Sequence, residues 1–122
     1  MEEWKTYKLR DIISTVIDNR GKSAPTSNQH FQPLIEINSL GQRELDYNSV
    51  RKYVSESTYV SWFRSGHPQK GDILFSTVGT IGLTSIMTKQ YGCIAQNIIA
   101  LRTNQLVNSY FLYYFFQTSS VK

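Results

Sequence analysis

The sequence predicts an α+β fold. A short-stranded, twisted sheet with mixed or antiparallel pairing is expected beside an N-terminal helix, a short central helix and a C-terminal apolar helix. Apolar residues recur at helical spacing early in the chain, and short apolar runs separated by glycines fill its second half. No regular alternation of strands and helices is present, which disfavours a doubly wound parallel sheet.

The N-terminal helix is predicted over residues 9–17. Its apolar face would be formed by residues at i, i+3, i+4, i+7 and i+8, namely Leu9, Ile12, Ile13, Val16 and Ile17. Several of these residues are β-branched, which lowers helix propensity, so packing must hold the helix. It is expected to end near residues 19–21, where Gly21 is the kind of residue that follows a helix.

The middle of the chain predicts loops and short elements. Residues 22–33 are polar, contain two prolines and are predicted to be a loop. Strands are expected over residues 34–37 and 50–54, with an irregular segment between them. Ser55 or Ser57 is expected to cap a short helix over residues 58–64.

The second half predicts sheet followed by a helix. Strands at residues 72–78 and 83–88 would be joined by a tight connection at 79–82, and residues 93–96 and 98–102 would add a third strand or a bulged pair. In the first of these strands, Ile73 and Phe75 should face one side and Leu74 the other. The final helix, residues 110–117, is apolar all round, so it must be buried or lack a partner.

The composition is that of one globular domain. The 122 residues are 40% hydrophobic and 18% charged, and 13 basic against 9 acidic residues give a net charge of +4. That balance is compatible with a phosphate-rich partner without being specific for one. The single Cys93 excludes an internal disulfide and is expected to be a buried thiol. Without a signal peptide or an apolar run of membrane-spanning length, a cytoplasmic protein with no membrane partner is expected.

Enzyme motifs are missing from the sequence. Residues 21–23 resemble the end of a phosphate-binding P-loop, but Val16 stands where that motif requires glycine. His30 and His67 have no histidine or cysteine at metal-ligand spacing, and Asp72 is the only acidic residue after Glu56. We therefore expect no catalytic site, no metal and no cofactor.

Residue types that contact nucleic acids are concentrated in the loops. Arg and Lys bind phosphates or guanine, and Gln and Asn can pair with adenine. The predicted DNA-binding residues are Arg20, Lys22, Ser23, Gln42, Arg43, Arg51, Lys52, Tyr59, Arg64, His67, Gln69, Lys70 and Thr80. For any one of them a solvated polar face is the alternative. For His67 that alternative is a solvated loop position, and for Thr80 it is a structural turn.

Motifs in order along the chain resemble those of Type I restriction-modification specificity subunits. Residues 71–82, GDILFSTVGTIG, are similar to the family pattern Gly-Asp-Ile-Leu, a Ser or Thr, then Gly-x-Ile-Gly. Residues 95–101, AQNIIAL, resemble its next landmark, although Gln and Asn stand in the reverse of the usual order. Residues 4–25 resemble the family opening, residues 33–40 resemble the segment that follows it, and residues 110–114 resemble the family's Tyr-Leu-x-Tyr helix.

The resemblance implies that residues 1–122 are a single DNA target-recognition domain of a truncated specificity subunit, without spacer helices or a second recognition domain. Such a domain reads one half of a bipartite duplex DNA target. The spacer helices dock the methyltransferase (M) subunits, and the restriction (R) subunit joins them. Adenine methylation with S-adenosylmethionine belongs to the partner. Two alternatives stay open: a fragment acting through the methyltransferase subunit, and an RNA or single-strand binder that stacks bases on its tyrosines.

Overall fold

The computed structural model describes residues 13–19, 23–63, 65–77, 83–103 and 113–114. In chain order its elements are β1 (Ile13–Asp18), β2 (Gln32–Ile35), β3 (Lys52–Val54), α1 (Glu56–Ser61), β4 (Ile73–Ser76), β5 (Thr84–Ile86), β6 (Cys93–Ile94) and β7 (Ile98–Thr103). Two single-turn 3-10 helices, Ile37–Ser39 and Tyr47–Ser49, lie between β2 and β3.

The strands form two sheets where the sequence predicts one. The first sheet has the order β1-β7-β4-β5, and all its neighbouring strands are antiparallel. The second sheet has the order β3-β2-β6, in which β2 pairs antiparallel with β3 and parallel with β6. The predicted mixed sheet structure with few helices is therefore confirmed, but it is divided between two sheets.

Alternation along the strands builds three apolar layers. Successive residues of a strand point to opposite faces, so Ile35 of β2 and Leu74 of β4 meet in the central core, and Leu34 and Ile73 face away from it. The buried members of the central core are Ile17, Ile35, Leu40, Leu45, Leu74, Met87, Ile94, Ile98 and Ala100. The facing predicted for Ile73, Phe75 and Leu74 is confirmed, because the first two pack in a separate cluster from the third.

The predicted N-terminal helix is wrong where the chain is described. Residues 13–18 form strand β1, which pairs with β7 from Ile13 opposite Thr103 to Asp18 opposite Ile99. Ile17 is buried while Val16 is 51% exposed, which is the alternation of a strand. The β-branched residues that weaken a helix are favoured in a strand, and pairing with β7 decides between the two periods. Residues 9–12 lie outside the described part of the chain.

The two remaining predicted helices have different outcomes. The short central helix is α1, and it begins earlier than predicted because Ser55 is the capping residue and accepts a hydrogen bond from the Thr58 N–H at 3.3 Å. Of the predicted C-terminal helix only Tyr113 and Tyr114 are described. Both are helical, and Tyr113 packs against Ile73 of β4; the other residues of that helix lie outside the described ranges.

Residues 93–102 were expected to form one strand or a bulged pair, but the chain changes sheets within this segment. The Ile98 N–H donates to the Ala95 carbonyl at 3.2 Å, closing a turn between β6 and β7. The Asn97 carbonyl accepts the Thr77 N–H at 3.0 Å, which fixes the turn to the end of β4. The turn therefore passes the chain from the second sheet to the first.

The Gly-Asp-Ile-Leu motif contains a buried ion pair. The Asp72 side chain is 2% exposed and receives two hydrogen bonds of 2.9 Å from the Arg102 guanidinium and one of 2.8 Å from the Gln69 N–H. These bonds to Asp72 raise the pKa of Arg102. The pair connects the start of β4 to β7, so the Asp of this motif is part of the scaffold.

Candidate nucleic-acid interface

A polar groove of about 300 Å³ runs beside β3, at the edge of the second sheet. Its lining consists of hydroxyl, amide, imidazole and cationic side chains together with one tyrosine: Thr26, Ser27, Asn28, His30, Arg51, Lys52 and Tyr53. The Ser27 N–H donates to the Tyr53 carbonyl at 2.9 Å, so the loop before β2 hydrogen-bonds to the edge strand. The groove is therefore formed by a loop and by the strand to which that loop is hydrogen-bonded.

Two adjacent cations give the groove its positive charge. Lys52 forms an ion pair of 3.3 Å with Glu36 and keeps 54% of its side chain exposed. Arg51 is exposed and makes no ion pair within the described part of the chain. Arg51 therefore carries the net positive charge of the groove. It can bind an anion without first breaking an ion pair to any residue that the structure describes.

An imidazole is stacked on an aromatic ring in the same groove. The rings of His30 and Tyr53 lie parallel, with centroids 4.0 Å apart and an interplanar angle of 10°. Tyr53 is held by β3, where it stands opposite Pro33 of β2. Stacking on Tyr53 therefore sets the plane of the exposed His30 ring at the groove.

Tyr59 and His67, both predicted to contact DNA, are packed against each other. Their rings are parallel at 3.8 Å, and the nitrogen Nε2 of His67 lies 2.7 Å from the Tyr59 carbonyl oxygen. His67 is half-buried and also contacts the Phe63 ring. The alternative of a solvated loop histidine is therefore wrong, because α1 covers the ring. Desolvation raises the pKa of Tyr59 and lowers that of His67.

The burial of His67 makes stability dependent on pH. An unfolded histidine has a pKa of about 6.5, and desolvation lowers the pKa of His67 in the folded chain. As pH falls below about 6.5, the unfolded chain takes up this proton first, so the free energy of unfolding should decrease. His67→Phe should reduce that decrease between about pH 7 and pH 5, measured by urea unfolding.

The other histidine supplies the control for this experiment. His30 is exposed, and His30→Gln should retain the slope of the native chain. His67→Phe also loses the hydrogen bond to the Tyr59 carbonyl, which lowers its stability at every pH. We therefore compare the slopes of the unfolding free energy against pH and not the absolute stabilities. An unchanged slope in His67→Phe would show that its burial does not drive the pH dependence.

The remaining described candidates lie away from the groove. Gln42 and Arg43 are exposed in the segment beside β5, where the Arg43 carbonyl accepts the Ile86 N–H at 2.7 Å and Nη1 of Arg43 lies 3.3 Å from the Tyr114 hydroxyl. Gln69 and Lys70 are exposed in the turn before β4. None of these four residues lines the groove.

Five candidates remain to be placed. Ser23 is exposed, and its hydroxyl accepts a hydrogen bond of 2.9 Å from the Gln96 amide. Arg20, Lys22, Arg64 and Thr80 lie outside the described ranges. Of the nine predicted residues that the structure describes, Arg51 and Lys52 line the groove and the other seven do not.

The groove contains residues that the prediction omitted. Thr26, Ser27, Asn28 and His30 belong to the predicted loop 22–33, from which the prediction includes only Lys22 and Ser23. A useful signal was available, since a run of Ser, Thr and Asn supplies side chains that bond both to backbone and to nucleic acid. The stacking of Tyr53 on His30 requires knowledge of the fold.

Other functional chemistry is limited in the described residues. Cys93 is buried, as predicted, and desolvation raises the pKa of its thiol to about 12, which makes it unreactive. Within residues the structure describes, no three His, Cys, Asp or Glu side chains are placed to hold a metal ion. No helix among them is long and apolar enough to cross a membrane.

Comparison with protein families identifies the family of the whole chain. A model of the Type I restriction modification DNA specificity domain matches residues 1–122. The chain belongs to this family. The family consists of specificity components, which confirms the prediction of a non-catalytic chain. No curated protein matches this specificity domain.

Two solved structures show the same fold. The HsdS subunit from Thermoanaerobacter tengcongensis aligns with 88% of the specificity domain at 17% identity and a TM-score of 0.62. A chain from work on complex assembly and conformational transition of the type I R-M system aligns with 90% of it at 16% identity and a TM-score of 0.64. The specificity domain spans about a quarter of either chain, 25% and 26% respectively.

Proposed function

We propose that residues 1–122 act as one target-recognition domain, which reads one half of a bipartite duplex DNA sequence for a Type I restriction-modification complex. The groove beside β3 carries this proposal, because it places Arg51 and Lys52 beside hydroxyl, amide and imidazole groups. Cations supply affinity for the phosphate backbone, and short polar side chains supply hydrogen bonds to base edges.

Duplex DNA fits this groove better than a single strand does. A single-strand binder needs aromatic rings on which bases can stack. Here one face of Tyr53 is covered by His30 and one face of Tyr59 by His67. Tyr47 donates its hydroxyl to the Tyr91 carbonyl at 2.7 Å. Each of these three tyrosines has a ring face or its hydroxyl engaged within the domain, whereas the exposed groups of the groove are hydrogen-bonding and cationic.

The proposed domain works within a larger assembly. Phosphate contacts supply most of the affinity and its salt dependence, and a single half-site domain binds weakly because it lacks the gain from linking two domains. Spacer helices are proposed to connect it to a methyltransferase subunit, which carries adenine methylation, and to a restriction subunit. The domain itself contributes target choice.

Selection of DNA from a random duplex library tests the proposal. The chain is fused to the spacer helices of a Type I specificity subunit, assembled with the methyltransferase partner and incubated with the library at low salt. Enrichment of a motif of a few base pairs is the expected result. An assembled complex that enriches no motif would contradict half-site reading, and displacement of duplex by single-stranded competitor would favour the single-strand alternative.

Arg51→Ala should weaken DNA binding without changing the preferred sequence. A cation that contacts one phosphate contributes about 0.9 to the slope of log affinity against log salt, so the slope should become less steep by about 1. Fluorescence anisotropy with the selected duplex and with an unrelated duplex measures both effects in the assembled complex.

Arg43→Ala is the matched control for this measurement, because Arg43 is exposed but lies outside the groove. Its affinity and salt slope should stay close to those of the native complex. Equal losses for Arg43→Ala and Arg51→Ala would move the DNA-binding surface away from the groove.

A further inference from the structure

The loop before β2 is fixed at several points. The Ser27 N–H bonds to the Tyr53 carbonyl of β3 at 2.9 Å, and the Phe31 N–H bonds to the Val54 carbonyl at 3.2 Å. Between these anchors, the Gln29 side-chain oxygen accepts the Glu56 N–H at 2.9 Å, at the first residue of α1. We call residues 26–31 the anchored loop. Its backbone is held by both β3 and α1.

Asn28 stands between two of these anchors and is itself exposed. Its side chain lines the groove and makes no hydrogen bond with any residue that the structure describes. The neighbouring Gln29 has the same functional group, but its amide oxygen is used to hold α1. The anchored loop therefore presents one amide, on a fixed backbone, with both its donor and its acceptor available.

The hydrogen-bonding groups of the Asn28 amide match one DNA base. The side chain of Asn can accept a hydrogen bond from N6 of adenine and donate one to N7, and this pair of contacts distinguishes adenine from the other bases in the major groove. Holding the loop before binding reduces the ordering that binding would otherwise require. Nearby Arg51 supplies a phosphate contact that can bring the base edge within reach.

We infer that Asn28 is a specificity-determining residue, which pairs with an adenine at one position of the half-site. This inference rests on the proposed function, since it assigns one base of the motif to one side chain of the groove. Arg51 and Lys52 add affinity at every sequence, whereas Asn28 discriminates at a single position.

The test repeats the duplex selection with Asn28→Ala and Asn28→Asp in the assembled complex. The native complex should enrich a motif with adenine at one position. Asn28→Ala should lose about 5- to 150-fold of the preference at that position, the equivalent of one bidentate contact, and leave the other positions unchanged. Asn28→Asp keeps an acceptor and loses the donor, so its preference should move toward cytosine, whose N4 is a donor.

The outcomes separate this inference from the proposal beneath it. If the native complex enriches a motif and both Asn28 variants enrich the same motif with the same penalties at every position, Asn28 is not a base-reading residue and the proposed function stands. If the native complex enriches no motif, the proposed function fails and the assignment of Asn28 fails with it. Because Asn28 is exposed, thermal unfolding should be the same for all three proteins.

Discussion

Replacing Arg102 with Met should lower the free energy of unfolding by about 3–5 kcal/mol, the cost of removing one partner from a buried ion pair. The variant leaves the Asp72 carboxylate, whose side chain is 2% exposed, without the two hydrogen bonds that the guanidinium donates. A buried charge without a partner is costly because water cannot replace the lost contact. Urea unfolding followed by circular dichroism measures the difference.

A second substitution tests whether the unpaired Asp72 carboxylate causes the loss of stability in Arg102→Met. Adding Asp72→Asn to Arg102→Met removes the buried charge while keeping an oxygen to accept the Gln69 N–H, so the double variant should be more stable than Arg102→Met alone. Arg51→Met is the matched control at an exposed arginine and should change stability by less than about 0.5 kcal/mol. Similar stabilities for the two single variants would contradict the importance of the buried pair.

Gly92→Ala should lower the free energy of unfolding by about 2–4 kcal/mol, through backbone strain and overpacking together. Gly92 has a φ of +122°, which residues with a side chain rarely adopt. A Cβ at this position would lie 2.8 Å from Cδ1 of Ile35 and 3.3 Å from Cγ of Pro33. Ile35 is fully buried in the central core, so moving its side chain away would displace its neighbours there.

Gly66→Ala separates the two contributions. Gly66 has a φ of +97°, but nothing lies within 4 Å of a Cβ built there, so only the backbone strain of about 1–2 kcal/mol applies. The difference between the two variants in urea unfolding should equal the steric contribution. If Gly66→Ala is as destabilising as Gly92→Ala, the close approach of Gly92 to β2 is not what requires glycine.

Strands with one dominant pattern could be predicted from the sequence, whereas an ambiguous pattern could not. Residues 73–75 are a short apolar run that follows Gly71, which predicts a strand, and the opposite facing predicted for Leu74 against Ile73 and Phe75 is confirmed. In residues 13–17 the apolar positions Ile13, Val16 and Ile17 fit a 3.6-residue period, and only Ile13 and Ile17 also fit a two-residue period. Only the partner β7, more than 80 residues away, determines which period the chain adopts.

The division into two sheets follows from contacts that are distant in sequence. β6 pairs in parallel with β2, about sixty residues earlier, while β7 pairs with β1 and β4. In the segment 93–103 the polar residues Gln96 and Asn97 interrupt the apolar pattern at the turn, but nothing in the local sequence indicates that the two halves belong to different sheets. Such pairing depends on the whole topology and not on the local sequence.

Only part of the candidate site could be predicted from the sequence, because the rest depends on contacts between residues that are distant in sequence. Residue chemistry was sufficient to select Arg51 and Lys52, which line the groove. It could not distinguish exposed groups from packed ones, so Tyr59 and His67 were chosen although their rings stack on each other. Asn28 was not selected because its availability depends on the anchors on either side of it.

The role proposed for the anchored loop keeps target choice separate from folding. The bonds at its two ends join backbone atoms of Ser27 and Phe31 to those of β3, and the side chains of Gln29 and Phe31 contact α1 through the Glu56 N–H and the Tyr59 ring. Positions 28 and 30 can therefore change their chemistry without removing an anchor. A domain built this way can acquire a new DNA preference through substitutions that leave its stability almost unchanged, so its specificity can diversify while the scaffold stays constant.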